Sequence, residues 1–272
     1  MARSTKRSLT RSTATPDKTK SATPTAAPPD LRDYTPARVS LRRTGVSLVT
    51  SEILDFQLAH AQARDAVHTQ LDTDHLVTRL HSDIAALAGT SILTLASAAP
   101  DRATYLRRPD LGRILSSHSA AILHPAPCDL VIVIADGLSA VAVERHATPL
   151  LAQLIPTLVE AGWRLGPLCI ATQARVAIAD QIGHTLKAQL TLVLIGERPG
   201  LSSPDSLGAY ITWAPQPGRT DAERNCVSNI REAGLDYVTA AARIAFYCNE
   251  ARRLQLTGTA LKETSPNALP GN

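Results

Sequence analysis

The sequence is poor in aromatic side chains: two Trp, five Tyr and two Phe make up 3% of its 272 residues. Its cores must therefore be aliphatic, built from the Ala, Leu, Val and Ile that supply most of a 44% hydrophobic fraction. No apolar run approaches the roughly eighteen residues of a membrane span, so no membrane role is expected. Cysteine is sparse and dispersed, at Cys128, Cys169, Cys226 and Cys248, with no CxxC pair and no signal-peptide core before them. That usage fits reduced thiols in a cytoplasmic protein. The eight histidines form no HExxH motif and no His/Cys cluster, which argues against a structural metal. Also missing are GxGxxG, GxxxxGK[ST] and GxSxG, so neither a phosphate cradle nor a nucleophile elbow is visible.

The formal charge of +4 is equally uninformative once it is placed. Residues 1–30 hold Arg3, Lys6, Arg7, Arg11, Lys18 and Lys20 against Asp17 and Asp30, a surplus of four that leaves the remainder near neutral. A basic tail without aromatic residues offers phosphate an electrostatic contact but no stacking platform, and no nucleic-acid partner is expected. Leu9 is the only sizeable apolar side chain after Met1 in this stretch, so residues 1–32 read as a disordered basic tail.

Residues 33–125 read as a mainly helical region. Thr50 or Ser51 is a candidate cap for a helix whose Leu54, Leu58 and Ala61 share one face. Residues 74–98 read as a second helical or mixed segment. In TYLRRPDLGRILS (104–116), Pro109 and Gly112 interrupt the pattern, and Arg107, Arg108 and Arg113 form a local basic cluster. The plain reading of that cluster is a solvated or protein-contact face; a phosphate or acidic partner is the sharper one.

Residues 126–263 change character. Three apolar runs, LVIVIAD (130–136), LGPLCIAT (165–172) and LTLVLIG (190–196), each end in a polar break, with helix-compatible text between them. That alternation predicts an α/β fold, a Rossmann-like parallel sheet with a mixed edge and helices on both faces. LGAYITWAP (207–215) reads as an edge strand ended by Pro215, and Asp236–Leu256 as a helix with Tyr237, Ala241, Ile244, Cys248 and Ala251 facing the core. Residues 264–272 read as a loose tail.

Loops after parallel strands open at one edge, so Asp136–Gly137, Arg175–Val176 and Glu197–Arg198 are expected to converge. Asp136 and Glu197 there could serve a self-sufficient hydrolase or nucleotide-dependent enzyme as acid and base. The plainer reading has Asp136 capping the next helix and Glu197 pairing with a loop cation. Cys226 lies in the polar stretch RTDAERNCVSNIREAG (219–234), a context that favours partial exposure over packing.

Several longer phrases carry a family likeness. TPARVSLRRTGVSL (35–48), ILDFQLAHAQARDAVH (53–68), YLRRPDLGR (105–113), VIADGLSAVAVERHA (133–147), LIGERPGLSSPDSLGAYITWAP (194–215) and RNCVSNIREAG (224–234) together resemble the small subunit of ethanolamine ammonia-lyase. The likeness spans about residues 33–262, with Arg42 standing where the family usually has Gly. It implies an adenosylcobalamin-dependent lyase that converts ethanolamine to acetaldehyde and ammonia, with catalytic residues in a large partner subunit and the corrinoid held between the two. Carried over by position, the cofactor contacts fall on Val176, Glu197 and Cys226. The DxHxxG sequence of another cobalamin class is absent, so the resemblance implies base-on binding without a ligand to cobalt from this chain. It also implies a cytoplasmic location, with enclosure in a bacterial microcompartment left open.

Overall fold

A computed structural model describes residues 30–35, 37–87 and 91–262. The expectations for the basic tail before residue 30 and for the tail after residue 263 lie outside the described residues. The chain divides into two compact units, residues 1–41 and 42–272. In the first, a 3-10 turn at Leu31–Asp33 is capped by the Asp30 side chain, which accepts from the Arg32 N–H.

The second unit opens with a small antiparallel hairpin, β1 (Arg43–Thr44) and β2 (Ser47–Leu48), followed by α1 (Thr50–His68) and α2 (Thr73–Asp83). Neither Thr50 nor Ser51 caps α1; Val49 precedes it, without a side-chain cap bond. The Ser51 hydroxyl instead accepts from Arg42 Nη2 at 3.0 Å, while Arg42 Nε donates to Glu52 at 3.0 Å. The predicted apolar stripe is also turned outward: Leu54 and Leu58 are 57% and 60% exposed, and Glu52, Ala59 and Ala66 form the buried face. Small side chains at seven-residue spacing let α1 lie against the longer helix described next.

The chain continues through β3 (Ile92–Ala96), α3 (Arg102–Arg107), α4 (Ser117–Ile122), β4 (Cys128–Ala135), α5 (Ala140–Glu160), β5 (Leu168–Thr172), α6 (Ile178–Leu186), β6 (Ala188–Gly196), β7 (Leu207–Trp213), β8 (Asn225–Ile230) and α7 (Tyr237–Leu254). Six strands form one sheet in the order β3-β5-β4-β6-β7-β8, parallel as far as β6 and antiparallel at β6–β7 and β7–β8. The fold is thus mixed α/β, with a mostly parallel sheet. Two features depart from the sequence reading. The mainly helical region supplies β3, which pairs with β5 over five residues, so the sheet draws on both sides of residue 125. LGAYITW is not the edge either: β8, from the polar stretch around Cys226, covers it.

Period-2 alternation divides the core between the two faces. Leu130, Ile132 and Ile134 of β4 belong to the cluster containing α2, α5 and α7, whereas Val131, Val133 and Ala135 pack with α6 and Leu123 after α4. α5 stays helical through Pro149 and Pro156, because Leu150, Leu151, Leu154, Ile155 and Leu158 are all buried along it. Tertiary packing there outweighs a lost backbone bond at each proline. The crossover from β5 to β6 passes β4, so the loops after β4 and β6 border a crevice at the carboxyl edge of the sheet. Gly137 and Gly196 close its floor: Gly137 has φ +56°, and a Cβ on Gly196 would stand 2.0 Å from the Ser139 carbonyl oxygen. Among the described residues no helix is long and apolar enough to cross a membrane.

Candidate functional site

Asp136 ends β4 and turns inward, only 1% exposed. Its carboxylate accepts from the Gln173 N–H at 2.9 Å and the Ala174 N–H at 3.0 Å, and Arg102 Nη1 lies 3.5 Å away. Burial pushes this carboxyl up, while the two N–H donors and the Arg102 charge pull it down. The group does not cap α5, whose cap is Ser139; it ties down the loop after β5. Arg102 reinforces the arrangement by donating to the Gly137 carbonyl at 2.8 Å and the Val67 carbonyl at 2.7 Å.

That loop is also gripped from α3. The Tyr105 hydroxyl donates to the Ala174 carbonyl at 3.1 Å, and the guanidinium carbons of Arg102 and Arg175 lie 4.8 and 4.4 Å from its ring centre. Cation–π contact of this kind orders both arginines. Burial raises the Tyr105 phenol well above its ordinary range, which keeps it a donor. Gly112 admits the ring edge and donates no side chain of its own, while its carbonyl accepts from the Arg175 N–H at 2.8 Å. Val176 is thereby fixed, half-buried, at the mouth of two hollows.

Glu197 follows β6 and is half-buried. Among the described residues it pairs with no cation: its carboxylate accepts from the hydroxyls of Ser206 and Ser228 and, at 3.2 Å, from the Asn229 N–H. Its own N–H donates to the Ser206 carbonyl at 2.9 Å. Gly208 makes room for it, since a Cβ there would approach Glu197 Oε1 to 2.9 Å. One side chain thus fastens the end of β6 to the start of β7 and the end of β8.

Cys226 is in strand β8, not in a loop, and pairs in register with Tyr210 of β7. It is exposed, while Cys128, Cys169 and Cys248 are buried. Partial burial and the Glu197 charge push its thiol up, and the Tyr210 hydroxyl pulls the other way.

The sequence-predicted loops do come together. Gly137, Leu138, Arg175, Val176, Glu197, Arg198 and Tyr210 line one hollow of about 410 Å³. A second, of about 900 Å³, continues from Arg175 and Val176 towards Arg113, Ile114 and Arg219. Cys226 joins through its neighbour Tyr210. Sequence reasoning missed Arg102, Tyr105, Ser206 and Ser228, whose roles come from contacts between distant segments. YLRRPDLGR displays its arginine cluster in sequence, whereas its Tyr105 orders two arginines outside the phrase, Arg102 and Arg175.

Fold and site together define an α/β protein whose candidate site is an open trough along the carboxyl edge of its sheet. Residues 26–262 match the family model described as ethanolamine ammonia-lyase light chain (EutC). The chain is 52% identical over 240 residues to the ethanolamine ammonia-lyase small subunit of Pseudomonas fluorescens, covering 86% of each chain. It is 53% identical over 245 residues to that of Bradyrhizobium diazoefficiens, covering 89% of this chain and 92% of the relative. Against that of Ralstonia nicotianae it is 51% identical over 241 residues, covering 86% and 87%. The chain belongs to the ethanolamine ammonia-lyase light-chain family, and is a small subunit of that lyase.

Proposed function

We propose that this chain forms one wall of an adenosylcobalamin site whose other wall is the large subunit of ethanolamine ammonia-lyase. The supporting observation is the shape and chemistry of the trough: Val176 and Glu197 border it together, with Tyr210 and Cys226 alongside, and it is open rather than enclosed. A large cofactor rimmed by amides and hydroxyls needs a few placed polar partners on an otherwise apolar wall. The residues fit. A carboxylate offers about four acceptor sites; Glu197 has three engaged within the chain, which leaves one for an amide N–H or hydroxyl of the cofactor.

When bound, the cofactor supplies a homolysable cobalt–carbon bond as the radical source. This chain's residues bind and orient it. Val176 presents an apolar surface on a loop held by Asp136 and Tyr105; Glu197 accepts a hydrogen bond; Cys226 adds a soft, neutral contact. No residue of this chain would ligate the cobalt; Val176, Glu197 and Cys226 would hold the cofactor by its periphery. The reaction of the assembled enzyme is ethanolamine to acetaldehyde and ammonia, in the cytoplasm or within a bacterial microcompartment.

Co-expression with the large subunit tests the reading. The complex should produce acetaldehyde from ethanolamine only when adenosylcobalamin is added, and the isolated chain should produce none. Turnover by the isolated chain would overturn this division of labour.

A further inference from the structure

The larger hollow beside Val176 has more positive charge at its border than its own carboxylates neutralise. Arg113, Arg175 and Arg219 line it with Asp180 and Asp221. Asp180 is fully engaged, accepting a buried two-pronged contact from Arg224 at 2.7 and 2.6 Å. Arg219 is paired with Glu223. Asp221 is 91% exposed at its side chain and 3.6 Å from Arg224 Nε, so it turns to water and to that cation. Arg113 and Arg175 remain, with no ion pair to any carboxylate among the described residues.

The two are joined through the backbone. The Arg175 N–H donates to the carbonyl of Gly112, the residue before Arg113, so both side chains leave from adjoining stems. Arg175 is further ordered by the Tyr105 ring, and its Nε is sealed from solvent without any hydrogen-bond acceptor. Among the described residues no acceptor engages its terminal amino groups, which are not sealed. An ordered guanidinium with unsatisfied donors beside a hollow is a receptor for an oxyanion, which it holds through charge-assisted bonds.

We propose that Arg113 and Arg175 form a phosphodiester subsite. It rests on the cobalamin reading, and the anion it takes is the phosphodiester in the cofactor's nucleotide arm. The arginine cluster of YLRRPDLGR then divides by role. Arg108 is bound to Asp110 and Arg107 to the Ala103 carbonyl, whereas Arg113 reaches the trough.

The test uses the complex with the large subunit and measures equilibrium binding, by visible absorbance, of adenosylcobalamin and of adenosylcobinamide, which lacks the phosphate and nucleotide. Arg113→Gln and Arg175→Gln should each weaken adenosylcobalamin about tenfold or more and leave adenosylcobinamide unchanged. Arg175→Lys should recover part of the loss, keeping charge without the planar fork. Raising the salt should reduce the advantage of adenosylcobalamin in the unsubstituted complex more than in the variants. Equal losses for both corrinoids, or no loss for either, would overturn the subsite while leaving the cofactor reading intact. Failure of the unsubstituted complex to bind either corrinoid would refute both. Arg113 is exposed, so its variant keeps the test decisive even if Arg175→Gln disturbs folding.

Discussion

At the scale of single residues, Glu197 and Cys226 give distinguishable expectations. Glu197→Ala in the assembled complex should weaken adenosylcobalamin by about 1.5–3 kcal/mol, the worth of a hydrogen bond to a charged group, or roughly ten- to a hundredfold in Kd. Since Ser206, Ser228 and Asn229 lose their shared acceptor as well, the melting temperature of the isolated chain should fall with it. An unchanged cofactor affinity alongside a lower melting temperature would leave Glu197 only its bracing role. Cys226 is the sole exposed thiol of the four, and burial pushes Cys169 and Cys248 up to about 12. A disulfide reagent should therefore modify one thiol in the native chain, and slowly at neutral pH, because the Cys226 thiol is itself raised. Cofactor loading of the complex should slow that reaction further; an identical rate with and without cofactor would count against Cys226 as a contact.

Among elements, the decisive joint is between α6 and the segment entering β8. Asp180 and Arg224 meet there at 2% and 1% side-chain exposure, and Arg224 also donates to Thr212 Oγ1 at 3.0 Å and the Arg219 carbonyl at 3.0 Å. Removing one partner strands a buried charge. Arg224→Met should destabilise the chain by about 3–5 kcal/mol in urea unfolding, and Asp180→Leu with Arg224→Met should recover much of that loss. A double variant as unstable as the single one would mean the site depends on the pair's geometry rather than its charge balance. The same joint explains why β8 was unreadable in the sequence. Its residues Asn225, Cys226, Ser228 and Asn229 have the polarity of a loop, and they become a strand because β7 supplies a ladder and Glu197 anchors the far end. α1 shows the converse, a plausible apolar stripe that the packing of Ala59 and Ala66 turned away from the core.

For the molecule as a whole, stability should decline with acid in two stages. His146 is 4% exposed, with Nδ1 2.9 Å from the Tyr237 hydroxyl and Nε2 3.6 Å from Asp205, and burial lowers its pKa. The unfolded chain then takes up a proton near pH 6.5 that the folded chain resists, so stability is full above that value and falls as pH drops below it. Asp129 is held below the usual carboxylate range, first by Arg164, and Asp205 is also lowered, its burial outweighed by Arg145 and His146. Their contribution is present above about pH 4 and is lost as pH falls through their depressed folded values. Urea midpoints measured at about pH 7, 5.5 and 3.5 should show both stages, and His146→Gln should remove only the first. A midpoint that does not move between the two higher values would refute the role given to His146.

The sequence by itself determined the strand and helix alternation from Leu130 to Ile195, the aliphatic core and the family. Those follow from periodicity over short windows and from long, ordered phrases, which are properties of neighbours along the chain. It also brought Val176 and Glu197 to one sheet edge, because parallel strands release their loops on the same side. Only the tertiary structure decided that Asp136 is a clamp on the Val176 loop, that Glu197 braces three strands, that Tyr105 orders two arginines, and that Cys226 stands on an edge strand. The first three include hydrogen bonds or ring contacts between residues 30 or more positions apart, and the last follows from the pairing of Cys226 with Tyr210 of β7. A buried carboxylate takes whichever donors the fold brings within reach, and no local pattern of sequence specifies them.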